Sequence, residues 1–370
     1  MHRLFDSGVL HRYLYGHLYP QNGTKIIART TTQDRMLKSA EYFMAGFFGL
    51  SWTNNATLVL NIESNTGTFN NSLAGYDNCP NAKNYRNSAG DNATKTWANI
   101  YLADAQKRFD ATAPDFNWTI TDVYNAQSLC AYEHVALGFS NFCDLFTWDE
   151  WRGYEYSIDL GFAGDYGYQS PVGRAIGIGF VEEQIALLQH HTINKPTAQI
   201  NVTLDNNIVT FPLNQSLNFF FSHDVNIMAI ITAFGFTQFN QVLPLDHIPA
   251  NHPLVVSHME PFGARLDMEI IQTPSPLNGS RANGAQYLSG PPTRYIHFIL
   301  NQRTLPAYPS FQECGDRDDG WCELSTFLEI QASSLNLSQY EYACFGDWPV
   351  PAYGTVTDGA PVARSGSYIL

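Results

Sequence analysis

Residues 217–231 read Leu-Asn-Phe-Phe-Phe-Ser-His-Asp-Val-Asn-Ile-Met-Ala-Ile-Ile, and this stretch decides the class of fold. Its apolar first part predicts a short buried strand. The apolar residues from Val225 onward predict a helix that ends at Gly235. His223 and Asp224 therefore lie between the carboxyl end of a strand and the amino end of a helix. Open α/β sheets bind ligands at such corners, and the free N–H groups of the helix suit a phosphate.

The His223–Asp224 pair has two interpretations. In the functional interpretation, His223 holds an anionic oxygen and Asp224 donates a proton to a leaving group. In the structural interpretation, Asp224 only caps the helix and His223 is a polar residue with satisfied hydrogen bonds. Because helix caps are far commoner than active sites, these residues alone favour the structural interpretation.

The composition describes an acidic globular protein. The chain has 370 residues, 44% hydrophobic and 15% charged, with a net charge of −14. This length indicates one large domain with an insertion, or two domains. No run approaches eighteen consecutive apolar residues, so no membrane span is expected. Because nucleic acids and anionic membranes bind clustered Lys and Arg, neither is an expected partner. The oligomeric state does not follow from the sequence.

Six cysteines form an even set without a C-x-x-C pair, which disfavours zinc and dithiol motifs. Neither Glu133-His134 nor His190-His191 has a suitably spaced third ligand, and the acidic run at 316–320 lacks the spacing of a calcium loop. No metal and no cofactor are therefore expected. Nine N-glycosylation sequons occur, at Asn22, Asn55, Asn70, Asn92, Asn117, Asn201, Asn214, Asn278 and Asn336. Together these features predict a secreted glycoprotein with disulfides.

The N-terminal residues, Met1 to Asp6, lack the apolar segment of a signal peptide. Secreted features without an export signal lead us to expect that the start of the protein is missing. Alternatively, Met1 is an internal methionine or a misplaced start.

A second strand-to-helix corner is predicted near the N-terminus. Residues 26–29 predict a strand that ends at Arg29, and Thr30 to Thr32 offer N-caps for a helix that stops at Gly49. Residues 51–96 are polar and rich in Asn, which predicts an irregular surface. Arg35 lies one to two helical turns further along this helix and is interpreted as a structural or ion-pair residue.

The remaining patterns predict helices first and strands later. Helical patterns cover 97–109, 121–138, 141–160 and about 176–190, with a Gly- and Tyr-rich loop at 161–174. Strand patterns follow Asn201, and paired strands are predicted within 254–271 and 294–304. The aromatic residues within 151–168 are interpreted mainly as the packing of the helical part.

We therefore predict an α/β fold with a mostly parallel sheet and flanking helices. Residues 1–50 and 185–370 form the α/β domain, and residues 51–184 form an inserted, mainly helical cap. A pocket between the two parts is the expected site.

The side chains of Arg29, His223 and Asp224 are together suited to binding and cleaving a phosphate ester. A guanidinium binds two phosphoryl oxygens, a histidine adds a donor, and an aspartic acid protonates a leaving alkoxide. No nucleophile is evident, because the chain has no G-x-S-x-G, Walker or kinase motif. Ser222 beside His223 is not a triad by itself, since adjacent strand residues face opposite sides.

Four stretches resemble fungal histidine acid phosphatases and phytases. Residues 29–36 (Arg-Thr-Thr-Thr-Gln-Asp-Arg-Met) resemble their second arginine motif, and residues 220–227 (Phe-Phe-Ser-His-Asp-Val-Asn-Ile) resemble their distal His-Asp motif. Residues 146–151 (Phe-Thr-Trp-Asp-Glu-Trp) and 261–266 (Pro-Phe-Gly-Ala-Arg-Leu) match two further stretches. The motifs keep the family's order from about residue 10 to about residue 350.

The resemblance implies hydrolysis of phosphomonoesters, phytate among them, in two steps. A histidine within an R-H-G-x-R-x-P motif attacks phosphorus and becomes a phosphohistidine, which water then cleaves. Carried over to this chain, Arg29 is a phosphate clamp, His223 a phosphate-positioning donor and catalytic residue, and Asp224 the catalytic proton donor. The resemblance also implies the disulfides Cys79–Cys344, Cys130–Cys143 and Cys314–Cys322.

The chain departs from the family at the nucleophile, because no R-H-G-x-R-x-P motif occurs in it. We therefore expect an N-terminally incomplete enzyme, inactive in this form. The alternative is a catalytically silent, secreted phosphate-binding glycoprotein on the same fold. A glycoside hydrolase is a third hypothesis, but Asp224 has no obvious carboxylate partner for that chemistry.

Overall fold

The computed structural model describes residues 2–19, 23–64, 66–280 and 287–362. The strands are β1 (Ile26–Thr31), β2 (Ala56–Asn61), β3 (Phe219–Phe221), β4 (Leu266–Thr273), β5 (Thr293–Leu300), β6 (Arg303–Leu305) and β7 (Cys322–Glu323). The helices are α1 (His2–Tyr15), α2 (Asp34–Phe48), α3 (Ala89–Tyr101), α4 (Ala103–Thr112), α5 (Ile120–Leu137), α6 (Trp148–Asp165), α7 (Gly173–Leu188), α8 (Val202–Asp205), α9 (Asp224–Phe234), α10 (Val256–Met259), α11 (Leu324–Gln331), α12 (Ser334–Ser338) and α13 (Tyr340–Phe345).

A parallel sheet in the order β2-β1-β3 positions the candidate site. Arg29 of β1 pairs with Val59 of β2 on one side and with Phe220 of β3 on the other. Because the three strands run in one direction, their carboxyl ends meet at one edge of the sheet. The chain segments that leave this edge lead to α2, to Glu63 and to α9. The predicted α/β class, with a parallel sheet and flanking helices, is confirmed.

Helices α2 and α9 end where the sequence patterns indicate, but α2 begins at Asp34 with Gln33 as its N-cap residue, and not after a cap formed by Thr30 to Thr32. Gly235 follows α9 with a left-handed φ of 97°, and Gly49 follows α2 with a φ of 88°. Only glycine adopts such angles without strain, so both positions stop their helices. On its inner side α2 buries Met36, Phe43 and Phe47.

Helix α1 crosses α2 at very short range. A Cβ atom added at Gly46 would lie 2.0 Å from the carbonyl oxygen of Phe5, so no larger residue fits without a shift of the backbone. The same helix reaches the second sheet, because Tyr15 donates a hydrogen bond to Glu269 of β4 at 2.6 Å. Helix α1 therefore connects α2 with the antiparallel part of the molecule.

The second sheet is antiparallel, in the order β4-β5-β6, and β7 pairs with β5. The paired strands predicted within 254–271 and 294–304 are confirmed from Leu266 onward. Residues 256–259 form the short helix α10 instead of the start of a strand.

The predicted cap is helical from α3 to α6, and capping boxes define two of its helices. Thr119 and Asp122 cap α5, and Thr147 and Glu150 cap α6. In each box a threonine side chain and an acidic side chain satisfy backbone N–H groups that have no partner within the helix. The capping box at Thr147 explains why α6 begins at Trp148 and not at the predicted 141. The predicted loop at 161–174 is shorter, because α6 continues to Asp165.

Three further local predictions differ from the structure. Residues 56–61, predicted as irregular surface, form β2 and belong to the parallel sheet. Residues 202–205, predicted as a strand, form α8, whose first turn is capped by the Asn201 side chain. Strand β1 continues through Thr31, because β-branched threonine suits a strand as well as a cap. The division at residues 51 and 184 stays a prediction, except that 56–61 belong with the sheet.

The structure joins the six cysteines in the three pairs that the resemblance implies. Cα–Cα distances are 4.5 Å for Cys79–Cys344, 4.9 Å for Cys130–Cys143 and 4.8 Å for Cys314–Cys322. Within the described residues, none of the helices has the length and apolar character that crossing a bilayer requires.

Candidate active site

His223 is the central residue of the candidate site. It is the N-cap residue of α9 and directly follows the segment that leaves β3. Its side chain is almost fully buried and lies between two charged groups. The Nδ1 atom is 3.2 Å from Nη2 of Arg35, and the Nε2 atom is 3.0 Å from a carboxylate oxygen of Glu63. The parallel sheet thus brings together residues from the ends of all three strands.

These partners define the hydrogen-bond roles of the His223 ring. A guanidinium can only donate, so Nδ1 must be the unprotonated nitrogen that accepts from Arg35. Nε2 then carries the hydrogen and donates to Glu63. This assignment of the tautomer rests on the partners of the ring. In this state His223 is neutral and both of its nitrogens are occupied.

Glu63 accepts several hydrogen bonds from the same cluster. Tyr76 donates to Oε1 at 3.0 Å, and the Gln33 side chain donates to the same oxygen at 2.5 Å. Burial favours the protonated carboxyl, but the hydrogen bonds from His223 and Tyr76 outweigh it and lower the pKa of Glu63 below its usual value. Burial and this carboxylate in turn raise the pKa of Tyr76. Glu63 is therefore a fixed negative charge that orients the histidine.

Arg35 is the arginine that the structure brings to His223. It lies in the first turn of α2 and its side chain is exposed to solvent. An exposed guanidinium beside a buried histidine can contact an incoming anion with little cost in desolvation. Arg35, interpreted from the sequence as a structural or ion-pair residue, therefore becomes a candidate for contact with an anion.

Arg29, predicted as the phosphate clamp, lies elsewhere. Its guanidinium is buried and ion-paired with Asp205 at 2.5 Å and with Glu183 at 3.5 Å. It also donates to the backbone oxygen of Thr210 at 3.0 Å. The cavity that it lines has a volume of about 10 Å³, space for about one water molecule and not for a phosphate. The structure does not bring Arg29 to His223, because β1 continues past it and its side chain faces α7 and α8.

Two carboxyl groups share the single positive charge of Arg29. Burial, followed by the neighbouring Asp205, raises the pKa of Glu183 well above its usual value, although Arg29 opposes the shift. Ser72 donates a hydrogen bond to the same carboxyl at 2.7 Å. The arrangement is that of a structural ion-pair cluster which ties β1 to α7 and α8.

Asp224 is the first residue of α9 and is exposed to solvent. Its carboxylate accepts the backbone N–H of Val225 at 2.9 Å. The N-cap position belongs to His223, so Asp224 is not the capping residue of the structural interpretation. The carboxyl of Glu260 faces the same helix end, and burial followed by the charge of Asp224 raises the pKa of Glu260 well above its usual value.

Ser222 has a structural role. It donates a hydrogen bond to the backbone oxygen of Leu73 at 2.5 Å and accepts one from the Asn226 side chain at 2.7 Å. These contacts fix the corner between β3 and α9. In the part of the chain that the structure describes, no cluster of three or more His, Cys, Asp or Glu side chains is arranged to hold a metal ion.

Comparisons with known proteins identify the family of the chain. The family model described as histidine phosphatase superfamily (branch 2) matches residues 1–301. Phytase A of Aspergillus fumigatus is 32% identical over 318 residues, which cover 81% of this chain and 63% of that protein. The acid phosphatase of Schizosaccharomyces pombe is 25% identical over 355 residues, which cover 92% of this chain and 68% of that protein.

A solved structure shows the same fold. The crystal structure of the phytase from D. castellii superposes with a TM-score of 0.70 at 23% identity, covering 98% of this chain and 70% of that chain. The chain thus spans about two thirds of the length of these relatives. Since the family model matches most of its residues, the chain belongs to branch 2 of the histidine phosphatase superfamily.

Proposed function

We propose that this chain carries the phosphate-binding site of a phosphomonoester hydrolase of the acid phosphatase and phytase type. The observation that carries the proposal is the contact between Arg35 and His223, 3.2 Å apart at the amino end of α9. A guanidinium, an imidazole and a helix N-terminus together form a set of donors for a tetrahedral anion. The substrates are small phosphomonoesters, and phytate is a candidate among them.

Binding of the anion is expected to change the partners of His223. When the ring takes up a proton, Nδ1 can no longer accept from Arg35, and the ring and the guanidinium both become donors to the phosphate. Glu63 stabilises the protonated ring through Nε2. The proposal therefore couples the binding of phosphate to the uptake of a proton.

Asp224 is proposed as the proton donor of the reaction. When the ester P–O bond breaks, its proton passes to the leaving alkoxide, and the phosphoryl group passes to a nucleophile. The resemblance implies a histidine of an R-H-G-x-R-x-P motif as that nucleophile, and the 370 residues contain no such motif. This form of the chain is therefore expected to bind phosphate without turning over esters.

Phosphate binding tests the site directly. Calorimetric titration of the 370-residue chain with inorganic phosphate should give an affinity that Arg35→Ala and His223→Ala each lower at least about tenfold, since each removes a charge-assisted hydrogen bond. Arg152→Ala, which removes an exposed arginine of α6, is the matched control and should bind as the unchanged chain does. Titrations in two buffers of different ionisation enthalpy count the protons taken up. Equal affinities for all four proteins would refute the site.

Turnover separates the hydrolase from the alternative function. We expect no release of p-nitrophenol from p-nitrophenyl phosphate, and no acid-labile phosphoprotein, from the 370-residue chain. Turnover that depends on His223 would contradict the expectation that the 370 residues lack the nucleophile. Phosphate binding without turnover in every natural form of the protein would support the second candidate, a catalytically silent phosphate-binding glycoprotein. That candidate is favoured by the missing motif alone.

The even set of cysteines, the sequons and the acidic composition, which predict a secreted glycoprotein, also support our proposal of secretion and N-glycosylation. Eight of the nine sequon asparagines lie in the described residues, and each is at least partly exposed. Asn22 lies outside the described residues. A fall in mass on treatment with an N-glycosidase, for protein recovered from the medium of a eukaryotic host, is the expected result. An unchanged mass would refute glycosylation.

A further inference from the structure

His11 of α1 lies between two hydrogen-bond acceptors. Its Nδ1 atom is 2.8 Å from the backbone oxygen of Ser7, and its Nε2 atom is 3.3 Å from a carboxylate oxygen of Asp267 on β4. A carbonyl oxygen and an ionised carboxylate can only accept a hydrogen bond. A neutral imidazole carries one N–H, so it satisfies one of these contacts and turns a lone pair toward the other acceptor. Both contacts together therefore need a ring that carries two protons.

The surroundings of Asp267 favour its ionised form. Nε of Arg265, on the segment that leads into β4, is 3.9 Å from the second carboxylate oxygen. A guanidinium at this distance favours the charged carboxylate. The carboxylate also keeps contact with water, because 22% of the side-chain surface of Asp267 is exposed. The proton between Asp267 and His11 is therefore assigned to the histidine.

Aromatic side chains cover the other sides of the His11 ring. His11 is 5% exposed, and the ring centroids of Tyr15 and of Phe43 on α2 lie 5.7 and 5.2 Å from its own. Of the side chains described around this ring and its partner, Asp267, Arg265 and Tyr15 are charged or titratable, whereas α2 contributes the apolar Phe43. Because water does not readily replace a lost partner at a buried position, this contact is sensitive to the charge of the ring.

A second contact between α1 and β4 needs no additional proton. Glu269 accepts a hydrogen bond from Tyr15 at 2.6 Å and one from Nδ1 of His297 at 2.8 Å. Nε2 of His297 lies 2.9 Å from the hydroxyl of Thr304, which donates to a neutral ring and accepts from a protonated one. These hydrogen bonds are satisfied in both charge states of His297. The contact of Tyr15 with Glu269 therefore persists when histidines lose their charge.

We propose that His11 forms a pH-dependent contact, made by its doubly protonated ring, that holds α1 on the antiparallel sheet. When the ring gives one proton to solvent, one of its two contacts becomes a contact between two acceptors, and the charge that attracts Asp267 is lost. The ring then turns away and α1 loosens from β4 around His11. Because Tyr15 and the close crossing at Gly46 remain, the change is local.

Hydrogen–deuterium exchange of the full 370-residue chain tests the proposal at about pH 5.5 and about pH 8, on either side of the range in which histidine charge ordinarily changes. The protection of α1 amides is corrected for the intrinsic exchange rate and is expressed relative to α7. We expect protection around His11 to fall at least about tenfold from the lower to the higher pH, the effect of one charge-assisted hydrogen bond. Nitrogen-15 spectra should show both ring nitrogens protonated at the lower pH.

Asp267→Asn gives the sharpest comparison. Its amide N–H can donate to Nε2 of a neutral His11 ring whose Nδ1–H still donates to Ser7. In this variant we expect the pH dependence to reverse, so that α1 is better protected at the higher pH. His11→Gln carries no titrating ring and should give a protection that does not change between the two pH values. His17→Gln is the matched control, because His17 is exposed just past the end of α1, and the tenfold fall should remain.

Three results would overturn the proposal. The first is a His11 ring with one proton at the lower pH in the unchanged chain, a measurement that needs no variant. The second is a fall in protection that persists in a folded His11→Gln protein. The third is a folded Asp267→Asn protein that responds to pH as the unchanged chain does. Near-ultraviolet circular dichroism checks the fold of each variant.

Discussion

Arg29 and Arg35 lie six positions apart and have opposite roles. Arg29 neutralises buried carboxyl groups, whereas Arg35 is exposed beside His223. The sequence analysis assigned Arg29 to the corner as the phosphate clamp and interpreted Arg35 as a structural or ion-pair residue, whereas the structure places Arg35 beside His223. The difference depends on Glu183 and Asp205, which are far from Arg29 in the sequence and close to it only after folding.

The two arginines should separate stability from binding. Arg29→Met leaves Glu183 and Asp205 buried without a cation, and we expect it to lower the free energy of unfolding by about 3–5 kcal/mol. Arg35→Met removes an exposed side chain and should change that free energy by less than about 0.5 kcal/mol, while it weakens phosphate binding. Urea unfolding and phosphate titration of both variants check the pair. A stable Arg29→Met protein that fails to bind phosphate would show that Arg29 belongs to the phosphate-binding site.

At the scale of elements, the sequence predicted best where a helix has a clear stop or a periodic apolar face. Gly49 and Gly235 end α2 and α9 as expected, since both need a left-handed backbone angle. Strand β2 was missed, because its polar flanks hide a short strand that pairs, among the described strands, with β1 alone. Glu63 was missed with it, although it follows β2 by two residues and completes the site. Because β2 was not recognised, nothing in the neighbouring sequence indicated that Glu63 lies at the edge of the parallel sheet.

The disulfides connect elements over very different distances along the chain. Cys79–Cys344 closes a loop of 265 residues, and Cys130–Cys143 closes one of 13. The loss of chain entropy in the unfolded state grows with the logarithm of loop length, so the long link should stabilise the fold by about 2–3 kcal/mol more than the short one. The difference is measured by the free energies of unfolding of two double variants, Cys79→Ser/Cys344→Ser and Cys130→Ser/Cys143→Ser. Equal losses would show that the loop-entropy account does not hold in this protein.

At the scale of the whole molecule, several buried acids favour folding at acid pH. Burial raises the pKa of Asp165 to about 7 and that of Asp159 to about 6, and Glu183 and Glu260 shift in the same direction. The folded state therefore holds protons that the unfolded state releases near pH 4. Since the unfolded chain binds fewer protons between these values, stability falls as the pH rises from about 4 to about 7.

Thermal unfolding across pH tests this directly. We expect a higher Tm at pH 5 than at pH 7.5, and Asp165→Asn should reduce the difference because it removes one of these titrations. Glu63, Glu150 and Glu269 have lowered pKa values. Their contribution to the free energy of unfolding is therefore present above about pH 4.5 and is lost below it. A Tm that is highest at alkaline pH would contradict the expectation that the acids with raised pKa values outweigh those with lowered pKa values.

The bond between Cys79 and Cys344 has a further consequence. It encloses more than two thirds of the sequence in one covalent ring. A protease that cuts a single surface loop within the ring opens it without releasing a fragment, so the nicked chain should keep its full mass on a non-reducing gel. Only a reducing agent would then separate the two pieces.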